Sequence, residues 1–169
     1  MGNDPKRFRP NMHCATVLAF ASLATLWPAP ALPTPAQGQT TENVAAGVYR
    51  PIDVKSKDGQ WEVELKTDGT SHVHVVRNTF APDGHSGWHT HPGPSLITVT
   101  EGEITVYEGD GLCSSNVYGV GDGSIDLGGG HVHRIANEGS VAAKTVVVQI
   151  IPKDAARRID ASKPSTCEE

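Results

Sequence analysis

From residue 47 onward, short β-prone runs alternate with turn signals, and this pattern restricts the chain to an all-β fold. Residues 61–65 (Trp-Glu-Val-Glu-Leu) alternate apolar and acidic side chains, which is typical of a strand with one buried face. Further β-prone runs lie at residues 71–80, 87–91, 95–100, 103–107, 117–120, 123–125, 131–136 and 144–151. Glycine beside an acidic residue separates most of these runs. Because many short, evenly spaced strands are typical of β-sandwiches and barrels, we predict one of these architectures.

The N-terminal segment has the layout of a secretory signal peptide. Three basic residues lie within residues 6–9, an apolar run follows at 14–27, and small residues suited to cleavage lie at 29–31 or nearer Ala36. A disordered tail or a retained membrane anchor is the alternative. The apolar run is short for a bilayer span, so we expect no membrane contact after signal removal. We therefore predict a secreted or periplasmic (extracytoplasmic) protein.

At 169 residues, the chain has room for one domain with a substantial core. We assign residues 1–36 to the signal peptide and the start of a linker. The Pro/Ala/Thr-rich linker continues through 37–46. A β-barrel then spans residues 47–152, and residues 153–169 form a C-terminal tail.

The charge of the chain argues against nucleic acid as its partner. Residues 1–40 contain three basic residues and one acidic residue. Their removal reduces 14 basic and 19 acidic residues to 11 and 18, a net charge of −7. An acidic exported domain without a basic stripe is a poor match for nucleic acid or an anionic membrane. The expected partner is therefore a small-molecule ligand or substrate.

Two cysteines remain after the signal segment, Cys113 and Cys167. In an oxidising compartment they can pair, and a disulfide would then hold the C-terminal tail. Two unpaired thiols are the alternative, because sequence alone gives no distance between them.

Six of the eight histidines occur in three His-x-His pairs, at 72/74, 89/91 and 131/133. On a strand, such a pair places both imidazoles on one face, because successive side chains alternate. The second and third pairs lie in segments rich in glycine, and two such pairs could direct their ring nitrogens into one cavity. We therefore predict a metal centre built from these two pairs, since imidazole is the commonest metal ligand. For the 72/74 pair, an ordinary solvated strand face is the favoured interpretation.

The two histidine segments resemble the motifs of the cupin family. Gly84, His89, His91 and Gly102 match the first motif of that family. The second motif is matched by Gly130, His133 and Asn137. The resemblance implies a double-stranded β-helix, or jelly-roll barrel, with a metal inside it. It is also compatible with a homodimer.

The chain departs from the cupin pattern at three places. Ser95 stands where the family usually has a glutamate, the spacing from Gly84 to His89 is one residue short, and Leu127 or Gly128 replaces a proline. Glu101 cannot replace the missing acid, because six strand residues place it roughly 20 Å away.

Two ligand sets remain open. One uses His89, His91 and His133 with open positions, and the other adds His131 as a fourth nitrogen. Ser95, Ile97 and Val99 share the parity of the histidines along the strand, so we expect them to line the cavity.

The ligand types restrict the cofactor to a divalent transition metal without identifying it as Zn, Fe, Mn, Cu or Ni. Three histidines without a carboxylate leave the metal charge uncompensated, which favours an anionic substrate or a metal-bound hydroxide. The resemblance implies dioxygenase, isomerase or decarboxylase chemistry on a small organic molecule. A non-catalytic metal- or ligand-binding module and a vestigial site are the alternatives, because fold alone does not determine function.

Overall fold

The computed structural model describes residues 1–2 and 32–167. The chain divides into two compact units, residues 1–30 and 31–169, and only residues 1–2 of the first unit are described. Most of the predicted signal peptide therefore lies outside the described residues. Within the described part of the chain, no helix is long and apolar enough to cross a membrane.

Twelve strands form the regular structure of the described residues. They are β1 (Gln37–Tyr49), β2 (Asp53–Asp58), β3 (Trp61–Lys66), β4 (Ser71–His85), β5 (His89–Thr90), β6 (Ser95–Glu101), β7 (Glu103–Glu108), β8 (Ser115–Gly119), β9 (Gly123–Asp126), β10 (His133–Ala136), β11 (Ala143–Pro152) and β12 (Ile159–Asp160).

Ten of these strands belong to one antiparallel sheet. One half contains β1, β4, β11, β6 and β9 as successive neighbours, and the other contains β12, β5, β10, β7 and β8. The halves are joined where β10 meets the end of β4, at the pair Ala136↔His85. The predicted all-β jelly-roll barrel is confirmed by this topology.

The apolar core lies on the inner faces of the sheet. Its buried residues are Val76, Phe80, Ile97, Val99, Ile104, Val106, Ile135, Ala143 and Val147. Strand β11 shows how the sequence builds it, because every second residue from Ala143 to Ile151 is buried. One of these inward positions is Gln149, which is 1% exposed. Apart from Thr145, the other inward residues of β11 are apolar, so this fully buried amide marks the part of the barrel where polar chemistry is located.

The linker predicted for residues 37–46 is wrong, because these residues form most of β1. Strand β1 pairs with β4 from Gln37↔His85 to Tyr49↔Ser71. Almost all of its side chains are exposed, so no apolar alternation reveals it in the sequence. Backbone hydrogen bonds to β4 hold it in place instead.

The hairpin of β2 and β3 forms a separate two-stranded sheet. Residues 61–65 do form a strand, as their alternation predicts. However, both faces of this strand are exposed, including Trp61 at 62%. The alternation of apolar and acidic residues therefore predicts the strand correctly, but the buried face that it suggests is exposed in the structure.

Candidate metal centre

The structure brings together three of the predicted ligands, His89, His91 and His133. His89 lies in β5 directly opposite His133 in β10, and His91 follows two residues later on the same face. One ring nitrogen from each of the three lies within 4.8 Å of the others. All three side chains are buried. Three imidazoles from two paired segments thus converge inside the barrel.

Backbone carbonyls fix the orientation of two of these rings. His89 Nδ1 donates to the carbonyl of Gly87 at 2.9 Å, and His91 Nδ1 donates to the carbonyl of Arg157 at 2.6 Å. Because a carbonyl can only accept, both Nδ1 atoms carry the proton and both Nε2 lone pairs are free. This is the usual outer support of a metal-bound histidine.

Glycine at position 87 makes the first of these contacts feasible. Its φ is +66°, and an added Cβ would overlap the backbone of Thr34 and Pro35. A larger residue here would displace the carbonyl that holds His89.

The centre is uncharged without a metal. Burial lowers the pKa of His89 to about 2, with a further contribution from His133. Burial also lowers the pKa of His133 to about 4, although the Asp126 carboxylate opposes this shift. For His91, burial again lowers the pKa, and the Arg157 carbonyl partly offsets it. Three neutral imidazoles at pH 7 are in the form that binds metal.

Both ring nitrogens of His133 are buried and lack a hydrogen-bond partner within the described residues. The Asp126 carboxylate lies 3.4 Å from Nδ1, whereas Nε2 has no such neighbour among residues 32–167. An unsatisfied buried nitrogen of this kind costs about 1–3 kcal/mol. The donor set and the unsatisfied Nε2 together fit a divalent transition metal.

Sequence reasoning missed Asp126, the carboxylate nearest to these histidines. Asp126 lies in β9 directly opposite Ser95 of β6, and it is 5% exposed. Its Oδ1 is 3.4 Å from His133 Nδ1, and it accepts a hydrogen bond from Gly128 N at 3.1 Å. The neighbouring strand therefore supplies an acid beside the position where the cupin motif usually has its glutamate. The sequence signal that could have revealed it is the position of Asp126 directly after the β-prone run 123–125.

The structure places His131 in a second group, with Asp126 and His133. His131 Nδ1 is 3.6 Å from Asp126 Oδ1, and its Nε2 is 3.4 Å from Glu108 Oε2. It is not part of the group formed with His89 and His91. The three-histidine arrangement is therefore the one that the geometry favours.

A cavity of about 60 Å³ adjoins the three histidines. Ser95 and Ile97 line it as predicted from their parity, whereas Val99 packs in the apolar core instead. Ser95 accepts a hydrogen bond from the amide of Gln149 at 3.2 Å. Arg157 and Arg158 also line the cavity, and sequence reasoning gave no reason to single them out. Three imidazoles on one side of a small cavity leave room for a ligand on the other.

Three further features support the site from outside. Cys113 and Cys167 form a disulfide with a Cα–Cα separation of 5.1 Å, which ties down the C-terminal segment. Gly128 has a φ of +68°, and an added Cβ would overlap the backbone of Gly93. Proline cannot adopt this φ, so position 128 cannot hold the proline of the cupin pattern. The amide of Asn137 donates to three backbone carbonyls and holds the turn after β10.

Comparison with known proteins gives one family match. Residues 76–149 match the family model of the cupin domain. No curated protein matches the chain.

Three solved structures illustrate the similarity. A Klebsiella pneumoniae protein with a double-stranded β-helix domain is 26% identical, with 68% of this chain and 86% of that chain covered and a TM-score of 0.46. An oxalate oxidase is 27% identical, with 48% and 46% covered and a TM-score of 0.41. A Streptococcus pyogenes protein of unknown function is 15% identical, with 48% and 66% covered and a TM-score of 0.41. The match thus spans just under two thirds of the last protein and less than half of the oxalate oxidase.

Proposed function

We propose that this chain, whose residues 76–149 match the cupin domain, is an exported, metal-dependent enzyme acting on a small organic molecule. The proposed cofactor is one divalent transition metal held by His89, His91 and His133. The observation that carries the proposal is the convergence of three buried, neutral imidazoles beside a cavity. Export is supported by the basic and apolar pattern of the N-terminal segment.

A bound metal would supply a Lewis acid that polarises an oxygen of the ligand. The protein contributes the rest. The carbonyls of Gly87 and Arg157 fix two imidazoles before the metal arrives, which reduces the cost of ordering them. The Asp126 carboxylate lies 3.4 Å from Nδ1 of His133 and would stabilise the positive charge that a metal places on that ring. Apolar side chains such as Ile97 and Val147 line part of the cavity and lower its polarity.

The test is metal analysis of protein purified from the exported fraction. We expect about one transition metal per chain, because the three imidazoles form one site. His89→Ala combined with His133→Ala should abolish metal binding, whereas the control His72→Ala should retain it, since His72 does not line the cavity. A metal-free wild-type protein that stays metal-free after dialysis against Zn, Fe, Mn, Cu and Ni salts would refute the proposal. Equal metal content in the double variant and wild type would refute the assigned ligands.

Export is tested separately by sequencing the N-terminus of the extracytoplasmic protein. We expect the mature chain to begin between residues 30 and 37, after a cut at the small residues of this region. An intact N-terminus in the cytoplasmic fraction would contradict export without affecting the metal site.

One observation favours the alternative of a non-catalytic binding module. Within the described part of the chain, no aspartate or glutamate lines the cavity, so none of these residues offers a carboxylate there as a general base. Oxygen uptake and product analysis with a panel of small organic acids, phenols and thiols distinguish the two functions. Turnover that disappears with the metal supports the enzyme. Binding of the same compounds without turnover supports the module.

A further inference from the structure

Arg157 is attached to the metal centre through its backbone and to the cavity through its side chain. Its carbonyl accepts the hydrogen bond from His91 Nδ1 at 2.6 Å. Arg157 lines the cavity beside the histidines and also a second pocket formed with β1 residues and His74, and burial, followed by the charge of the Arg157 side chain, lowers the pKa of both His91 and His74. The guanidinium therefore stands between the metal centre and a neighbouring pocket.

The two adjacent arginines differ in how they are paired. Arg158 donates from Nε to Asp160 at 2.7 Å and from its terminal nitrogen to the carbonyl of Ser86 at 2.6 Å. Arg157, in contrast, has no acidic side chain within 4.0 Å and no side-chain hydrogen bond among residues 32–167. It is nevertheless half-buried, and burial, with Arg158 second, lowers its pKa. A half-buried guanidinium without an anionic partner is costly unless a ligand supplies the anion.

The charge of the cavity lining points to the same kind of ligand. The residues that line it include two arginines and three histidines, but no aspartate or glutamate. Asp126 does not line the cavity and faces Nδ1 of His133 instead. A bound divalent metal would add further positive charge. The cavity is therefore electrostatically suited to an anion.

The volume of the cavity limits the size of that anion. At about 60 Å³, it has room for about two water molecules of about 30 Å³ each. A space of this size admits the acid group of a small organic acid and excludes a large anion. The guanidinium is planar and presents paired N–H donors that match a carboxylate, which an ammonium group does not.

We propose that the small molecule bound at the three-histidine centre is a short-chain carboxylate, and that Arg157 is the residue that recognises its carboxylate group. This inference rests on the proposed function, because the other end of the ligand occupies the open side of the metal. It adds the substrate class and the residue that selects it. Neutral molecules of the same shape lose the charge-assisted hydrogen bonds to Arg157 and bind weakly.

The test is calorimetric titration of the metal-loaded protein with malonate and with its neutral counterpart malonamide. We expect malonate to bind at least tenfold more tightly than malonamide. Arg157→Gln should weaken malonate binding by 10- to 100-fold, since it removes a charged pair of hydrogen bonds. Arg157→Lys should recover part of the affinity, because lysine restores the positive charge but not the paired N–H donors of the guanidinium.

The matched control is Arg77→Gln, which removes an arginine paired with Glu42 on the exposed part of β4 and should leave malonate affinity within twofold of wild type. Metal content and thermal unfolding are measured for every variant. Arg157→Gln with full metal content and unchanged malonate affinity would overturn the inference, as would equal binding of malonate and malonamide or no binding of either. If wild-type protein holds no metal, the proposed function fails. The same titrations on metal-free protein then decide the role of Arg157, whose charge does not depend on the metal.

Discussion

Replacing Asp126 by asparagine should weaken metal binding without destabilising the metal-free protein. The substitution keeps the shape of the side chain and an oxygen that accepts from Gly128 N, but it removes the negative charge 3.4 Å from His133 Nδ1. Two full charges at that distance would attract each other by about 5 kcal/mol at an effective dielectric constant of about 20. A metal-bound imidazole carries only part of a charge, so the loss is smaller. Loss of such an outer partner typically costs about 10- to 100-fold in metal affinity, or about 1.4–2.7 kcal/mol.

Without metal, the same carboxylate is buried beside the neutral imidazole of His133. The pKa of His133 is lowered to about 4, so this histidine offers no positive charge to Asp126 at pH 7. A buried carboxylate without a cation is costly, and asparagine avoids that cost. The free energy of unfolding of the metal-free variant should therefore equal or exceed that of the wild type.

The assay is metal competition against a chelator of known affinity, combined with urea unfolding of the metal-free proteins. Asp122→Asn is the matched control, because Asp122 is exposed and accepts from Gly119 N at 2.8 Å, well outside the cavity lining. A loss of metal affinity below threefold would refute the role of Asp126. An equal loss in the control, or a metal-free variant destabilised by as much as its affinity falls, would show general damage instead.

Three further predictions concern the metal-free protein and its scaffold. The pKa values of His89 and His133 are lowered to about 2 and 4 in the folded, metal-free protein, so its free energy of unfolding should be highest above pH 6.5. Below that pH, each of the two histidines should reduce the free energy of unfolding by up to about 1.4 kcal/mol per pH unit. Urea unfolding between pH 7 and 4 measures this slope, and a flat profile would contradict the prediction. Replacing Cys113 and Cys167 by serine should lower the free energy of unfolding by about 2–4 kcal/mol, because the disulfide closes a long loop. Reductant added to the wild type should lower it by the same amount. A loss below about 1 kcal/mol would contradict the prediction. Gly128→Ala should destabilise more than Gly129→Ala, because both have positive φ but only the first Cβ meets backbone atoms; equal effects in thermal unfolding would exclude the steric reason.

The sequence located the strands that carry a buried face. The runs at 95–100, 103–107 and 144–151 appear in the structure as β6, β7 and β11, each extended by one or two residues. In β6 and β11, buried side chains alternate with more exposed ones, because one side of each strand faces the core. Strand β1 has almost no buried side chains, so its only determinant is pairing with β4, which no local pattern records.

Three residues of the candidate site were predictable from the sequence, and two others were not. His89, His91 and His133 share strand parity and a glycine-rich context, and these features brought them into one hypothesis. Asp126 and Arg157 were missed because their relation to the site is set by tertiary structure. The first faces Ser95 only through the register of β6 and β9, and the second reaches His91 across 66 residues of sequence.

The hydrogen bond from His91 to Arg157 has a consequence for biosynthesis. During translation, all three histidines emerge before the segment that holds the acceptor of His91 Nδ1. A nascent chain can therefore display the complete set of nitrogen donors while one ring is still free to rotate. If the site binds a metal as proposed, we expect such a chain to bind it weakly and to bind it firmly only after the segment around Arg157 has docked against the barrel.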